Sequence, residues 1–138
     1  MKTLLRFLAA GMLLVSSVAY AGFSFVGQFG VEINSDDQWA RGITTTARFS
    51  DDPEEHIGCG VRHTLIDGVL DSWGFCQASI SPDIYVNCIA LNAELIDKIA
   101  GLNSFSFVEF NWDENGECTH FGFSTQSGHI PGKEDMKK

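Results

Sequence analysis

Cysteine spacing is the feature of this chain that most narrows its chemistry. The chain has four cysteines, Cys59, Cys76, Cys88 and Cys118. No two of them form a Cys-x-x-Cys pair, so the sequence predicts neither a thioredoxin-like redox site nor a zinc knuckle. An even number of cysteines in a short chain indicates disulfide bonds when the chain is exported, and we expect two bonds here.

Turn chemistry limits which cysteines can pair. Asp67-Gly68 suits a two-residue type I′ hairpin loop, because both positions of that turn need a positive φ. With that loop, Cys59 lies opposite Cys76 in a non-hydrogen-bonded pair, where opposite Cβ atoms are about 4.5–5.5 Å apart. The next turn, Ser81-Pro82-Asp83, places Cys88 opposite Cys76 as well. Two pairings remain open: Cys59–Cys76 with Cys88–Cys118, which we favour, or Cys76–Cys88 with Cys59–Cys118.

Histidine spacing does not indicate a metal site. The four histidines are His56, His63, His120 and His129. A transition-metal site would combine His56 and His63 with Asp51 or Asp52, and zinc needs three or four converging ligands. The acidic loops lack the Asp-x-Asp-x-Asp-Gly pattern of a calcium loop. We therefore predict no metal and no cofactor.

The sequence contains no nucleophile motif such as Gly-x-Ser-x-Gly, so it predicts no catalytic residue. Glu109 is the one acidic residue inside a predicted strand. A cleft that gathers Glu109, His120 and His63 would favour a small hydrolase that works outside the cytoplasm. Such a hydrolase, or a metal-dependent protein, is the alternative to a non-catalytic domain.

Residues 1–21 have the pattern of a secretory signal peptide. Lys2 and Arg6 supply a basic start, residues 4–18 are mainly apolar, and Ala19-Tyr20-Ala21 is a small-x-small cleavage site. The apolar run is shorter than the roughly 20 residues of a transmembrane helix. We predict cleavage after Ala21, a secreted or periplasmic location, and no membrane insertion of the mature chain.

Acidic residues outnumber basic residues by 18 to nine, which gives a net charge of −9 at pH 7. Residues 1–21 hold two of the basic residues and none of the acidic ones, so the mature chain carries a charge of about −11. Nucleic acids and anionic lipids both attract clusters of Lys and Arg, so this balance argues against either partner. The partners that remain are proteins and glycans.

Alternating apolar and polar residues predict a mainly β domain of the α+β class, built on an antiparallel sheet with one packed helix. The expected elements are strands at residues 23–33 and 40–49, a three-strand meander over residues 57–90, a helix at Asn92–Leu102 and a hairpin at Ser104–Ser124. These elements form a single domain over residues 22–125. A flexible tail at residues 126–138 follows it.

The second hairpin is expected to turn at Asn115-Gly116, another dipeptide that suits a two-residue loop. That loop pairs Trp112 with Thr119. It also places Cys118 on the face of the hairpin opposite Phe110, because successive side chains of a strand point to opposite faces.

Three aromatic residues share one face of the predicted meander. Trp73 and Phe75 lie on its second strand and Tyr85 on its third, opposite the face that carries the cysteines. If a helix or a second sheet covers that face, the rings belong to the core; if nothing covers it, they form a binding surface. The predicted function is a small exported, non-catalytic domain that binds an unidentified ligand.

Several short motifs resemble a recurrent group of small exported bacterial proteins with four cysteines. The motifs are Ile57-Gly58-Cys59, Cys76-Gln77-Ala78, the single Cys88, and a Phe-x-Trp-x-x-x-Gly-x-Cys pattern that ends at Cys118. The resemblance covers residues 42–133, although Pro131-Gly132-Lys133 departs slightly from the Pro-Lys ending of the group. Because the group has no established activity, the resemblance implies a disulfide-stapled framework and no catalytic residues.

We expect the mature protein to begin at Gly22, because Ala19 and Ala21 are the small residues that define such a cleavage site. Intact-mass measurement of the protein purified from its native host tests this expectation. A mass that includes residues 1–21 would contradict both the predicted location and the disulfide argument that depends on it.

Overall fold

The computed structural model describes residues 24–26 and 28–132. Within these residues the strands are β1 Glu32–Asn34, β2 Trp39–Ile43, β3 His56–Ile66, β4 Val69–Ser81, β5 Ile84–Ala90, β6 Ser106–Trp112 and β7 Cys118–Thr125. The helices are α1 Thr44–Arg48 and α2 Ala93–Ala100, and a short 3-10 turn spans Ser127–His129. The predicted signal peptide and its cleavage site lie outside the described residues.

The strands form two antiparallel sheets whose buried residues share one hydrophobic core. The first sheet has the order β1-β2-β6-β7 and the second has the order β3-β4-β5. Buried side chains come from the first sheet, as Ala40, Val108 and Phe110, and from the second, as Cys76 and Ala78. The predicted class, mainly β with antiparallel sheets and one helix longer than two turns, is confirmed.

The α2 helix lies where the sequence places it. The Oδ1 atom of Asn92 accepts the backbone N–H groups of Glu94 at 2.9 Å and Leu95 at 3.1 Å, so Asn92 is the N-cap. Ile99 projects from the helix into the core and is only 2% exposed. No helix within residues 24–26 and 28–132 is long and apolar enough to cross a membrane.

The β3–β4 hairpin has the predicted register along its whole length. Asp67 and Gly68 form the loop with φ values of 50° and 81°, both positive as a type I′ turn requires. Cys59 is opposite Cys76, and the two form a disulfide. Cys88 lies opposite Cys76 on β5, as predicted, but bonds instead to a cysteine of the first sheet.

The second disulfide, Cys88–Cys118, connects the two sheets and confirms the favoured pairing. The predicted loop that precedes Cys118 is wrong. The N–H of Gly116 bonds to the carbonyl oxygen of Asp113, and the N–H of Asp113 bonds to the carbonyl oxygen of Glu117, each at 3.0 Å. The loop is therefore longer than Asn115-Gly116.

That longer loop shifts the register by one residue between Asn111 and Trp112. Trp112 pairs with Cys118 and not with Thr119. The shift places Cys118 on the same face as Phe110, facing the core, where the prediction had placed it on the opposite face. A β-bulge of this kind redirects a side chain, and here it lets Cys118 reach the second sheet.

The predicted strand at residues 40–49 is wrong beyond Ile43, since Thr44–Arg48 is helical. The threonines that suggested a strand make hydrogen bonds to distant segments. The Thr44 hydroxyl lies 3.0 Å from the carbonyl oxygen of Ser104, and the Thr45 hydroxyl donates to the carbonyl oxygen of His129 at 2.6 Å. These tertiary contacts outweigh the local strand preference of threonine.

The structure differs from the predicted domain at both ends. The strand expected at residues 23–33 is limited to Glu32–Asn34 among the described residues, and residues 23 and 27 lie outside them. At the other end, His129 is only 4% exposed although it belongs to the predicted tail. Packed structure therefore continues past residue 125, while residues 133–138 lie outside the described part.

Two glycines of the second sheet provide a matched test of this packing. A Cβ atom at Gly74 would lie 3.0 Å from Cδ1 of Ile99 and 3.2 Å from Cβ of Ala90, whereas a Cβ at Gly58 would meet nothing within 4 Å. We expect Gly74→Ala to destabilise the protein by about 1–2 kcal/mol, because it overpacks the contact with α2. A thermal melt should show a fall of roughly 3–10 °C.

Gly58→Ala is the control and should leave the melting temperature nearly unchanged. Equal melting temperatures for the two variants would contradict the packing of α2 against β4.

Candidate binding surface

The second sheet has one face that points away from the core. Side chains alternate along each strand, so the residues between the core-facing positions of β3, β4 and β5 share this face. We call this surface the outer face, and its main side chains are Arg62, Ile66, Val69, Trp73, Phe75 and Tyr85. The α2 helix packs on the opposite face, where Gly74 approaches Ile99.

The three predicted aromatic residues share the outer face and none is buried, but only Trp73 and Phe75 are neighbours, since Tyr85 is opposite Ser79 at the other end of β4. The rings of Trp73 and Phe75 are partly exposed, with centroids 5.8 Å apart. Tyr85 is 52% exposed and lies 6.0 Å from the ring of His56. Exposure of these rings is the condition for a binding surface, and ligand binding by them stays a prediction.

Arg62 and Gly60 hold the Phe75 ring flat on the sheet. A Cβ atom at Gly60 would lie 2.9 Å from Cζ of Phe75, so the ring occupies the space that a side chain at position 60 would take. The guanidinium carbon of Arg62 lies 4.8 Å from the centroid of the same ring. Such a cation–π contact contributes about 0.5–1 kcal/mol at an exposed site. The Phe75 ring therefore packs over the backbone of β3 at Gly60.

The outer face continues onto a protruding hairpin. The pairing of β5 with β4 reaches Gly74, opposite Ala90, and beyond it β3 and β4 continue as a two-stranded ribbon. Four large aliphatic residues form the end of this ribbon, which we call the hairpin tip: Leu65, Ile66, Val69 and Leu70. Their exposed fractions are 69%, 54%, 70% and 62%.

The hairpin tip has two sides. Ile66 is paired with Val69 on the outer face, and Leu65 is paired with Leu70 on the other side. On the outer face the exposed polar pair of Thr64 and Asp71 lies between the aliphatic pair of Ile66 and Val69 and the aromatic pair of Trp73 and Phe75. Large exposed apolar side chains that cluster on one face, with polar residues among them, mark interaction sites. Because side chains alternate between the two faces of a strand, the sequence could have placed Ile66 and Val69 on the same face as Trp73. It could not have predicted their exposure, which depends on where β5 ends.

The residues of the alternative metal site do not converge. Nδ1 of His56 lies 3.0 Å from the carbonyl oxygen of Glu54, and Nδ1 of His63 lies 2.8 Å from Oγ of Ser72. Within residues 24–26 and 28–132, only Cys76, Cys88 and Cys118 form a group of three or more His, Cys, Asp or Glu side chains with converging ligand atoms. His56, His63, Asp51 and Asp52 are not part of such a group.

The acid–base residues of the alternative hydrolase are divided between the sheets. Oε1 of Glu109 lies 3.5 Å from Nε2 of His120 on the first sheet, and both side chains are about half exposed. His63 is on β3 of the second sheet. The third residue of the hypothetical cleft therefore does not join the pair in a converging cluster.

The carboxylate of Asp113 accepts hydrogen bonds from backbone N–H groups of its own turn. Its Oδ1 accepts the backbone N–H of Glu117 and that of Asn115, each at 2.9 Å. These bonds stabilise the carboxylate, and the bond from Glu117 is the main reason that the pKa of Asp113 lies below its usual value. The carboxylate thus stabilises the loop that precedes Cys118.

No protein-family model, curated protein or solved structure matches the chain. The resemblance to small four-cysteine exported proteins therefore stays a prediction, and the geometry of the chain itself is the basis for its proposed function.

The pKa of Asp113 predicts how stability depends on pH. A carboxyl group whose pKa is lowered in the folded state stabilises that state above its unfolded pKa of about 3.9, and the contribution is lost as pH falls through the lower folded value. As the pH falls below 5, the free energy of unfolding should therefore decrease less for Asp113→Asn than for the wild type. Thermal melts across that range measure the difference. Parallel losses of stability for Asp113→Asn and the wild type over that range would contradict this role of the Asp113 carboxylate.

Proposed function

We propose that this chain is an exported, non-catalytic binding domain whose outer face docks on a partner protein. The observation that carries the proposal is that partly exposed Trp73 and Phe75 share one face of a sheet with exposed Ile66 and Val69, with only the Thr64–Asp71 pair between them. None of these four side chains belongs to the buried core cluster of the described residues or to the partly buried residues packed against it.

The composition of the outer face favours a protein over a glycan. Trp, Tyr and Arg are the residue types that most often dominate binding energy at protein interfaces, and Arg62, Trp73 and Tyr85 supply one of each. Ile66 and Val69 offer only apolar surface, which gains free energy when a partner removes it from water. A glycan would use stacked rings and hydrogen bonds, and it would gain little from the aliphatic end.

Charge adds a constraint on the partner. Asp67 and Asp71 lie at the end of the protruding hairpin and are exposed, and the chain as a whole is strongly acidic. Complementary charge increases association rates and excludes partners of the same sign. A partner that offers apolar surface to Ile66, Val69 and Trp73 and basic groups to Asp67 and Asp71 fits this face best.

Export is supported by the two disulfides, because such bonds persist in oxidising compartments. The signal-peptide pattern of residues 1–21 gives the route, with the mature chain beginning at Gly22. The location that follows is the periplasm or the medium.

Two double variants of the hairpin tip test the proposed face. Ile66→Ser with Val69→Ser alters the outer side, and Leu65→Ser with Leu70→Ser alters the other side of the same ribbon. All four residues are at least half exposed, so neither variant removes a core contact. The wild-type and variant mature proteins each serve as bait for envelope and medium fractions. The outer-side variant should bind the partner at least about tenfold more weakly than the wild type, which corresponds to roughly 1.4 kcal/mol.

The other-side variant is the matched control and should capture the partner as the wild type does. Equal losses for both variants would refute the assignment to the outer face. Retention on a polysaccharide matrix with no captured protein would refute the choice of a protein partner.

A further inference from the structure

Three cysteine sulfurs meet in the core although they belong to two different disulfides. The Sγ atoms of Cys76, Cys88 and Cys118 all lie within 4.8 Å of one another. Cys76 and Cys88 are fully buried and Cys118 is 3% exposed. Cys59, the partner of Cys76, is not a member of this group.

The strand register explains this arrangement. β4 is the central strand of the second sheet, and Cys76 on it is opposite Cys59 on one side and Cys88 on the other. Opposite residues of neighbouring strands have Cα separations of about 4.5–5.5 Å, which suit a disulfide. Cys76 therefore has a second potential partner, Cys88, whose sulfur is in its immediate surroundings.

Of the two disulfides, only Cys59–Cys76 includes a cysteine that is partly exposed to solvent. Cys59 is partly exposed and lines a cleft of about 560 Å³ between β3 and the segment that follows α2. Val61 and His63, which share the face of Cys59 on β3, line the same cleft. A thiol in solution can approach Cys59, while the three clustered sulfurs are shielded by the core.

We propose that the two disulfides form a thiol–disulfide relay that begins at Cys59. A thiolate from solvent attacks Sγ of Cys59 and forms a mixed disulfide, and Cys76 leaves as a thiolate. The Cys76 thiolate then attacks Sγ of Cys88, forms a Cys76–Cys88 bond and displaces Cys118 as a thiolate. One thiolate enters and one is released, so the number of disulfide bonds is unchanged and no oxidant is needed.

The relay changes what the disulfides hold together. Cys88–Cys118 joins the two sheets, whereas Cys76–Cys88 joins neighbouring strands of one sheet. Thiol attack at the surface therefore removes the covalent link between the sheets without a net reduction. The incoming group is a thiolate, supplied by a small-molecule thiol or by a Cys-x-x-Cys oxidoreductase.

Two serine variants test the relay without any added thiol. Cys59→Ser and Cys76→Ser both remove the first disulfide, but only Cys59→Ser leaves a free thiol inside the sulfur cluster. After an acid quench and alkylation, non-reducing peptide mapping of Cys59→Ser should show a Cys76–Cys88 peptide and alkylated Cys118. Cys76→Ser should keep Cys88–Cys118, with alkylated Cys118 at least about tenfold less abundant, because its free thiol is outside the cluster.

Equal retention of Cys88–Cys118 in the two variants would overturn the relay. A time course on the wild type keeps the test valid if Cys59→Ser does not fold. Reduced glutathione or a Cys-x-x-Cys oxidoreductase, at equal thiol concentration, should produce a mixed disulfide at Cys59 together with free Cys118, and the faster reagent identifies the source of the thiolate. Free Cys118 without prior modification of Cys59 would contradict the order of the steps.

Discussion

The register of β4 is the constraint on which the rest of the structure depends. It is set by the Asp67-Gly68 loop, where two consecutive positive φ values allow only two residues between the strands. That register puts Cys76 and Ala78 toward the core and Trp73 and Phe75 toward solvent. A slip of one residue would exchange the two faces, and both the disulfide and the outer face would be lost.

The Cys88–Cys118 bond extends this constraint to the whole molecule. It closes a span of 30 residues and joins β5, an edge strand of the second sheet, to β7 of the first. On a loop-entropy estimate, such a bond stabilises a domain by about 3–4 kcal/mol, a large fraction of the roughly 5–15 kcal/mol that holds a small domain together. The relay at Cys76 therefore bears on stability as well as chemistry, because it exchanges this link for one within a sheet.

Local turn chemistry made the second sheet predictable, and distant contacts made parts of the first unpredictable. The β3–β4 register follows from one dipeptide and from alternation, so Trp73 and Phe75 could be assigned to one face from the sequence. The helix at Thr44–Arg48 depends on partners 60 or more residues away, such as Ser104 and His129. The face of Cys118 depends on a bulge whose cause is a hydrogen-bonded turn around Asp113.

Disulfide mapping of the resting protein tests the central claim most directly, since fold, outer face and relay all assume the same β4 register. Protein purified with its thiols blocked at harvest should yield two linked peptide pairs under non-reducing conditions, Cys59 with Cys76 and Cys88 with Cys118. A Cys76–Cys88 pair in the untreated protein, or four free thiols, would contradict the account.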